Sequence, residues 1–264
     1  MTPERQVELA DFLVRARTGG PATPQPPAEL EPESVEEGYA VQALVHDRLE
    51  AAGFGRRIGH KIGCTTPVMQ AYLKIDHPCA GEVFETTVAD HMVTLPLARF
   101  HRIGVECEIA ARIGDDMPAV GIPYDQGNVR DAVAALMPAI ELADDRYAHF
   151  PSLSAPVLIA DDFFNAGVVL GEPFEGWRDL DLQAIEGDMF VDKVRAGSGR
   201  GRDVLGHPMA ALAWLANHRA ALGKPLRAGE FVMLGSVVKT VHFEAPAEVL
   251  IRFEHLGEAR VVFT

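Results

Sequence analysis

Cysteine is scarce in this chain of 264 residues: Cys64, Cys79 and Cys107 are the only three. Their number is odd and no two form a Cys-x-x-Cys pair, so a disulfide framework is not indicated and a reducing compartment fits best. Basic residues are short as well. Lys and Arg total 24 against 38 Asp and Glu, a formal charge of -14, and no basic cluster offsets it. That balance argues against nucleic acid and against anionic membrane surfaces as partners, since both need a basic footprint. No apolar run approaches the ~18 residues of a membrane span. The amino terminus, Met1-Thr2-Pro3-Glu4-Arg5, opens a polar amphipathic segment instead of a charged-then-apolar signal. A cytoplasmic protein is expected. Also missing are a Gly-x-Gly-x-x-Gly turn, a Gly-Lys-Ser/Thr phosphate loop, a Gly-x-Ser-x-Gly elbow and a His-Glu-x-x-His helix, which removes support for nucleotide, serine-hydrolase and zinc-peptidase chemistry.

What the chain does have is an apolar fraction of 48%, enough for a sizeable core in one large domain or in a catalytic domain with a smaller attachment. Residues 4–17 carry apolar side chains at near-helical spacing, and a Pro- and Gly-rich connector follows over 19–27. Ser34 followed by Glu37 is a capping-box signature for a helix running to Gly53. Beyond residue 81 short β-rich runs dominate, at 91–96, 104–113, 137–143, 156–160, 166–171, 185–194, 230–235 and 247–263, with helices expected at 127–136 and 208–222. This irregular order predicts an α+β fold and not a doubly wound parallel sheet.

The run Val105-Glu106-Cys107-Glu108-Ile109 carries the first chemical signal. Alternate residues of a strand share a face, so Glu106 and Glu108 stand side by side. Glu141 lies in another apolar stretch, Pro138-Ala139-Ile140-Glu141-Leu142, where an unpartnered carboxylate is costly to bury. Two accounts fit. Glu106 and Glu108 form the wet face of a half-buried strand, or the three carboxylates form an oxygen-only site for Mg2+, Mn2+ or Ca2+. Lys61, in Gly59-His60-Lys61-Ile62-Gly63-Cys64-Thr65-Thr66, is either a snorkelling surface lysine or an ammonium placed to meet negative charge. Cys64 beside it reads as a small buried hydrophobe or a nucleophile.

In order and spacing the Lys61 segment, the Glu-x-Glu strand, Glu141, Ala160-Asp161-Asp162 and Ala228-Gly229-Glu230 through Gly235-Ser236 resemble the 2-keto-4-pentenoate hydratase and 4-oxalocrotonate decarboxylase family of the fumarylacetoacetate hydrolase superfamily. The resemblance implies a helical and mixed amino-terminal part, residues 1–80, joined to a curved mixed β-roll, 81–264, that carries the metal. It implies Mg2+ or Mn2+ on Glu106, Glu108 and Glu141, and a small 2-oxo or 2-hydroxy acid substrate. Lys61 is then the lysine facing the oxyanion or moving a proton. Asp162 and Ser236 would bind substrate, with a turn-capping aspartate and a plain turn as the competing accounts. The implied reaction is hydration of a 2-hydroxyalka-2,4-dienoate to a 4-hydroxy-2-oxo acid in aromatic catabolism. Decarboxylation of an oxalocrotonate-type diacid, acylpyruvate C-C hydrolysis and a non-catalytic partner subunit are the alternatives. A homo-oligomer is expected, with a sister decarboxylase or hydratase as a possible companion.

Two departures from that pattern stand out. Glu85-Thr86 occupies the place of an aspartate pair common in the hydratases, so Glu85 is expected either as the general acid/base or as a solvated glutamate. Phe163-Phe164-Asn165 replaces smaller, hydroxylated residues and makes a bulkier pocket wall.

Overall fold

In the computed structural model, residues 1–19, 25–119, 121, 123–147 and 153–264 are described. Helix α1 (Pro3–Thr18) starts at Thr2, whose hydroxyl accepts the Arg5 N–H. Helix α2 (Val35–Leu49) starts at Ser34, which accepts the Glu37 N–H; Glu37 in turn accepts the N–H of Glu33, so both arms of the expected cap exist with the return bond shifted one residue upstream.

Three strands precede residue 91, where the sequence patterning begins to predict them: β1 (Arg57–Gly63), β2 (Cys79–Phe84) and β3 (Val88–Asp90). The short helix α3 (Pro67–Leu73) stands between β1 and β2. Then come β4 (Met92–Leu95), β5 (Ile103–Ile113), β6 (Val133–Asp144), helix α4 (Ala155–Ala160), β7 (Asn165–Leu170), β8 (Glu186–Val191) and β9 (Val194–Arg200). Helix α5 (Pro208–Ala221) leads to β10 (Phe231–His242), β11 (Ala247–Phe253) and β12 (Gly257–Phe263).

The strands form a seven-stranded sheet in the order β2-β1-β10-β5-β6-β7-β3 and a five-stranded sheet in the order β4-β12-β11-β8-β9. β1 runs parallel to β10, β3 to β7 and β4 to β12, and the other pairings are antiparallel. The expected mixed α+β architecture is present. Three register shifts in the β10–β5 pairing are bulges of the kind that bend a strand and increase its twist. The main core lies between the sheets, with Ile109, Ile140 and Val232 of the larger meeting Ile251, Val261 and Phe263 of the smaller. A second core, built from Leu13, Val45, Phe84 and Leu158 among others, joins α1, α2 and α4 to the outer face of the large sheet. Residue 80 falls inside β2, so the Lys61 segment and the carboxylate strands belong to one sheet.

Two expected elements are corrected. Residues 156–160 are helix α4, not a strand. A five-residue apolar run has no period that separates a strand from a buried helix, and Pro156 in the first turn favours the helix. Residues 127–136 are not an α-helix: a 3-10 turn covers Asn128–Ala132 and β6 begins at Val133. There the long antiparallel pairing with β5 overrides the helical preference of an Ala- and Leu-rich stretch. The 185–194 run is a hairpin whose two turn residues, Asp192 and Lys193, both have positive φ, the requirement of a tight two-residue connection.

Candidate active site

Register places the acidic residues. Glu106 lies directly opposite Glu141 across β5 and β6, and Glu108, two residues along the same strand, shares the face. A carboxylate oxygen from each of the three lies within 4.8 Å of the others. β10 covers the other edge of β5 and lies beside β1, bringing Lys61 to the group: its Nζ is 3.2 Å from Glu141 Oε1, with the lysine 4% exposed.

Each carboxylate has a fixed partner. Thr240 Oγ1 donates to Glu106 at 2.6 Å, the Gly235 N–H donates to Glu108 at 2.9 Å, and Asn165 Nδ2 donates to Glu141 at 3.0 Å. Gly235 has φ +115°, and a Cβ there would stand 2.6 Å from the Thr65 hydroxyl, so glycine alone lets this strand turn its amide to Glu108. Burial, then the charges of Glu141 and Glu106, push the Glu108 carboxyl well above its ordinary range, against the pull of Gly235 and Lys61. Burial raises Glu141 as well, with Lys61 and Asn165 opposing. For Lys61 burial works against the charged form, but Glu141, Glu106 and Glu108 outweigh it and hold the ammonium above its usual pKa.

Three carboxylates against one ammonium leave the cluster negative, and its donors are hard oxygens close enough to converge on one ion. Glu106 and Glu141 also border a cavity of about 1240 Å³, so an ion there has an open side. The residues fit a divalent cation of the magnesium or manganese type.

The remaining expected site residues divide. Ser236 lines the cavity beside Lys61, but its hydroxyl is engaged, accepting the Cys107 N–H at 3.0 Å and donating to the Val238 carbonyl at 2.7 Å. Asp162 is fully buried and is not part of the cavity wall. Arg17 and His46 each reach it at 2.8 Å. Its place is a backbone clamp: Asp162, Phe163 and Phe164 all have positive φ, a conformation that costs a non-glycine residue about 1–2 kcal/mol. Arg146 secures the same turn through Asp161 at 2.8 Å and the Phe164 carbonyl at 3.0 Å. The clamped turn sets the Phe163 ring 5.4 Å from Lys61 Nζ and starts β7 at Asn165, the partner of Glu141. The substrate-binding expectation for Asp162 is therefore corrected to a positioning one.

Glu85 is also corrected. It sits in a surface turn, its side chain 48% exposed and paired with Arg56 at 3.3 Å, and it does not line the cavity. The hydrogen bonds and charge of Arg56 outweigh the slight effect of burial and lower its pKa, the reverse of what a general acid at neutral pH needs. Sequence reasoning missed Thr240 and Asn165 as carboxylate partners, and it read the backbone amide at the Gly235-Ser236 corner as a holder of a substrate carboxylate where the Gly235 N–H donates to Glu108. Thr240 lies an even number of residues from Ser236 in one strand, a readable hint, whereas the Asn165 contact depends on a strained turn with no sequence signature.

Fold and site together define a mixed α+β protein with a candidate hard-cation centre beside a lysine. A model of the fumarylacetoacetate (FAA) hydrolase C-terminal family matches residues 74–264, and the chain belongs to this family. It is 32% identical over 240 residues to a 2-keto-4-pentenoate hydratase of Paraburkholderia xenovorans, covering 90% of this chain and 87% of the relative. It is 31% identical over 265 residues to a 2-keto-4-pentenoate hydratase of Paraburkholderia phymatum, covering 100% of both. Among solved structures, the 4-oxalocrotonate decarboxylase from Pseudomonas putida G7, complexed with magnesium and adipate, shares the fold at a TM-score of 0.92 and 24% identity, over 100% of this chain and 99% of that one.

Proposed function

We propose that this protein is a divalent-metal-dependent lyase that adds water to a 2-hydroxyalka-2,4-dienoate and yields a 4-hydroxy-2-oxo acid. The observation that carries the reading is the Lys61–Glu141 contact at 3.2 Å inside a cluster with Glu106 and Glu108, opening on a cavity. The hydratase names of two full-length or nearly full-length relatives support the substrate class. Glu106, Glu108 and Glu141 would hold Mg2+ or Mn2+, which supplies Lewis acidity to a 1-carboxylate with its neighbouring 2-oxygen.

The chain's own residues account for the rest. Asn165, Thr240 and the Gly235 amide orient the three carboxylates before substrate arrives, which avoids reorganisation during reaction. Lys61, kept charged by its neighbours, steadies negative charge on the 2-oxygen and is the proton donor at hand as the dienol becomes a 2-oxo-3-enoate. Protonation at C5, matched by loss of the 2-hydroxyl proton, makes C4 electrophilic; water then adds across the C3–C4 double bond, its oxygen bonding C4 and a proton going to C3 as the 2-enolate returns to the ketone. Phe163 covers one side of the ammonium and limits its access to bulk water.

A second reading, decarboxylation of an oxalocrotonate-type diacid, draws support from the position of Glu85. Apart from the cluster, the carboxylates bordering the cavity among the described residues are Asp145, tied to Arg102 at 3.1 Å, and Asp203, which accepts the Arg200 N–H at 2.7 Å. Neither is a free base for water. The test is an ultraviolet assay of 2-hydroxydienoates and oxalocrotonate after chelation and again with magnesium. Hydration predicts magnesium-dependent loss of dienol absorbance without carbon dioxide; carbon dioxide release selects the second reading, and no turnover with either substrate removes both.

A further inference from the structure

A five-carbon dienoate leaves most of this cavity unused. Pockets for drug-sized ligands run to roughly 300–1,000 Å³, and here the space beside the carboxylates is about 1240 Å³. Beyond the carboxylates and the Phe163 ring over Lys61 the wall is mainly apolar, with Val68, Met69, Ala143, Tyr147 and Phe164.

Helix α3 forms part of that wall in an unusual way. None of its seven residues is buried, yet it shows Val68 at 77%, Met69 at 38% and Tyr72 at 52% exposure. Cys64 and Lys74, on either side of the helix, both have positive φ, and Thr66 caps it by accepting the Met69 N–H. Leu73 packs against the helical core, so the fold fixes both ends of the helix while Val68, Met69 and Tyr72 remain exposed. Val68 and Met69 border the cavity that holds the site, so what would cover them is a ligand entering that cavity.

The charges at the rim bear on the ligand's far end. Arg102, Lys239 and His242 line the cavity together with Asp145 and Asp203; with the imidazole counted as neutral the formal charges cancel, and Arg102 is tied to Asp145 at 3.1 Å. A distal carboxylate would meet no net positive field there, whereas a hydrocarbon tail would meet the aromatic and aliphatic wall.

We infer that the substrate carries an apolar substituent of several carbons at the end remote from its carboxylate, and that Val68 and Met69 on α3 are specificity residues for that tail. The inference rests on the 2-oxo acid reading of the site and names the substrate class within it.

The test uses the magnesium-loaded protein and unreactive straight-chain 2-oxoalkanoates from 2-oxobutanoate to 2-oxodecanoate, titrated by calorimetry, so that it does not depend on turnover. Affinity should rise by about fourfold per added methylene until the wall is filled, and Val68→Ser and Met69→Ser should each flatten that slope. Both side chains are outside the core, so the variants keep the fold. A flat slope, with a short dienoate still turned over by the same protein, overturns the inference and leaves the lyase reading standing. Tighter binding of 2-oxooctanedioate than of 2-oxooctanoate also overturns it, in favour of a diacid. If Val68→Ser changes the oligomeric state and leaves the slope intact, α3 is a contact between copies and the inference fails. Binding of no 2-oxo acid at all removes the inference together with the reading beneath it.

Discussion

Two buried groups of charge meet at Gly81, where an added Cβ would fall 2.9 Å from Asp162 Oδ1 and 3.0 Å from the Lys61 side chain. On one side, Asp161, Asp162 and Glu82 are matched by Arg146, Arg17 and His46. On the other, Glu106, Glu108 and Glu141 have, among the described residues, Lys61 as their one paired cation. Both groups use strained or glycine-dependent backbone, but only the acidic one opens on the cavity, through Glu106 and Glu141. They differ in charge balance. The balanced group is complete as folded and holds a turn in place, while the acidic group is left short of positive charge and gains by taking up a cation. Burial alone does not distinguish a structural carboxylate from a functional one; its unmatched charge does.

The largest effect expected from breaking this contrast is on turnover. Lys61→Met should lower it by about two to four orders of magnitude, through loss of an oxyanion stabiliser or proton donor, while circular dichroism and the melting profile stay native-like. Steady-state rates within threefold of wild type would take Lys61 out of the chemistry.

Glu108→Gln should lower magnesium-dependent turnover by about a thousandfold, yet leave the metal-free protein as stable or more so, because a neutral side chain relieves repulsion from Glu106 and Glu141. Differential scanning calorimetry of the chelated protein is the check. A strongly destabilised variant would put Glu108 in the structural class with Asp162.

The reverse is expected of the balanced group. Asp162→Asn leaves Arg17 and His46 with an unmatched buried charge and should cost about 3–5 kcal/mol in urea unfolding. Turnover should fall only as far as the 162–164 turn loosens and Asn165 drifts from Glu141.

Acidity offers a smaller probe of the same group. Burial alone would lower the His46 pKa, but Asp162 and Glu82 overcome it and raise it from 6.5 to about 9. A raised histidine contributes stability that is fully present below its unfolded pKa and is lost as pH rises through the folded one. His46→Gln should therefore be less stable than wild type by up to about 3 kcal/mol near pH 6. The gap should narrow between pH 6.5 and 9, as read by denaturant midpoints across that range. A constant gap would mean that packing, not charge, is what His46 provides.

The smallest effect is expected at Glu85. Glu85→Gln should keep turnover within about threefold, since an exposed carboxylate outside the cavity has no hydrogen-bond reach to a reacting proton. A large loss of hydration with ketonisation preserved would restore it as the base.

The sequence made some of this legible. Glu106 and Glu108 on one strand face follow from alternation, and Glu141 in an apolar run signals its own need for a partner. The fold class followed from the irregular order of elements. What was hidden depended on long-range geometry: the register that sets Glu106 opposite Glu141, the three left-handed residues that aim Phe163 and Asn165, and the cations that claim Asp162. Glu85 misled because proximity to a motif in sequence says nothing about which side of a sheet its turn leaves on. Residues 156–160 misled because five apolar residues carry too little period.

The position of β10 has a consequence for how the molecule is made and lost. It separates β1 from β5 in the sheet, so Lys61 reaches the carboxylates only through a strand that ends at His242. During synthesis Lys61 and the three clustered carboxylates have emerged by residue 141, yet the cluster cannot close until about a hundred more residues have followed. A nascent chain, or one clipped before Phe231, would contain Lys61 and all three carboxylates without the strand that brings them together.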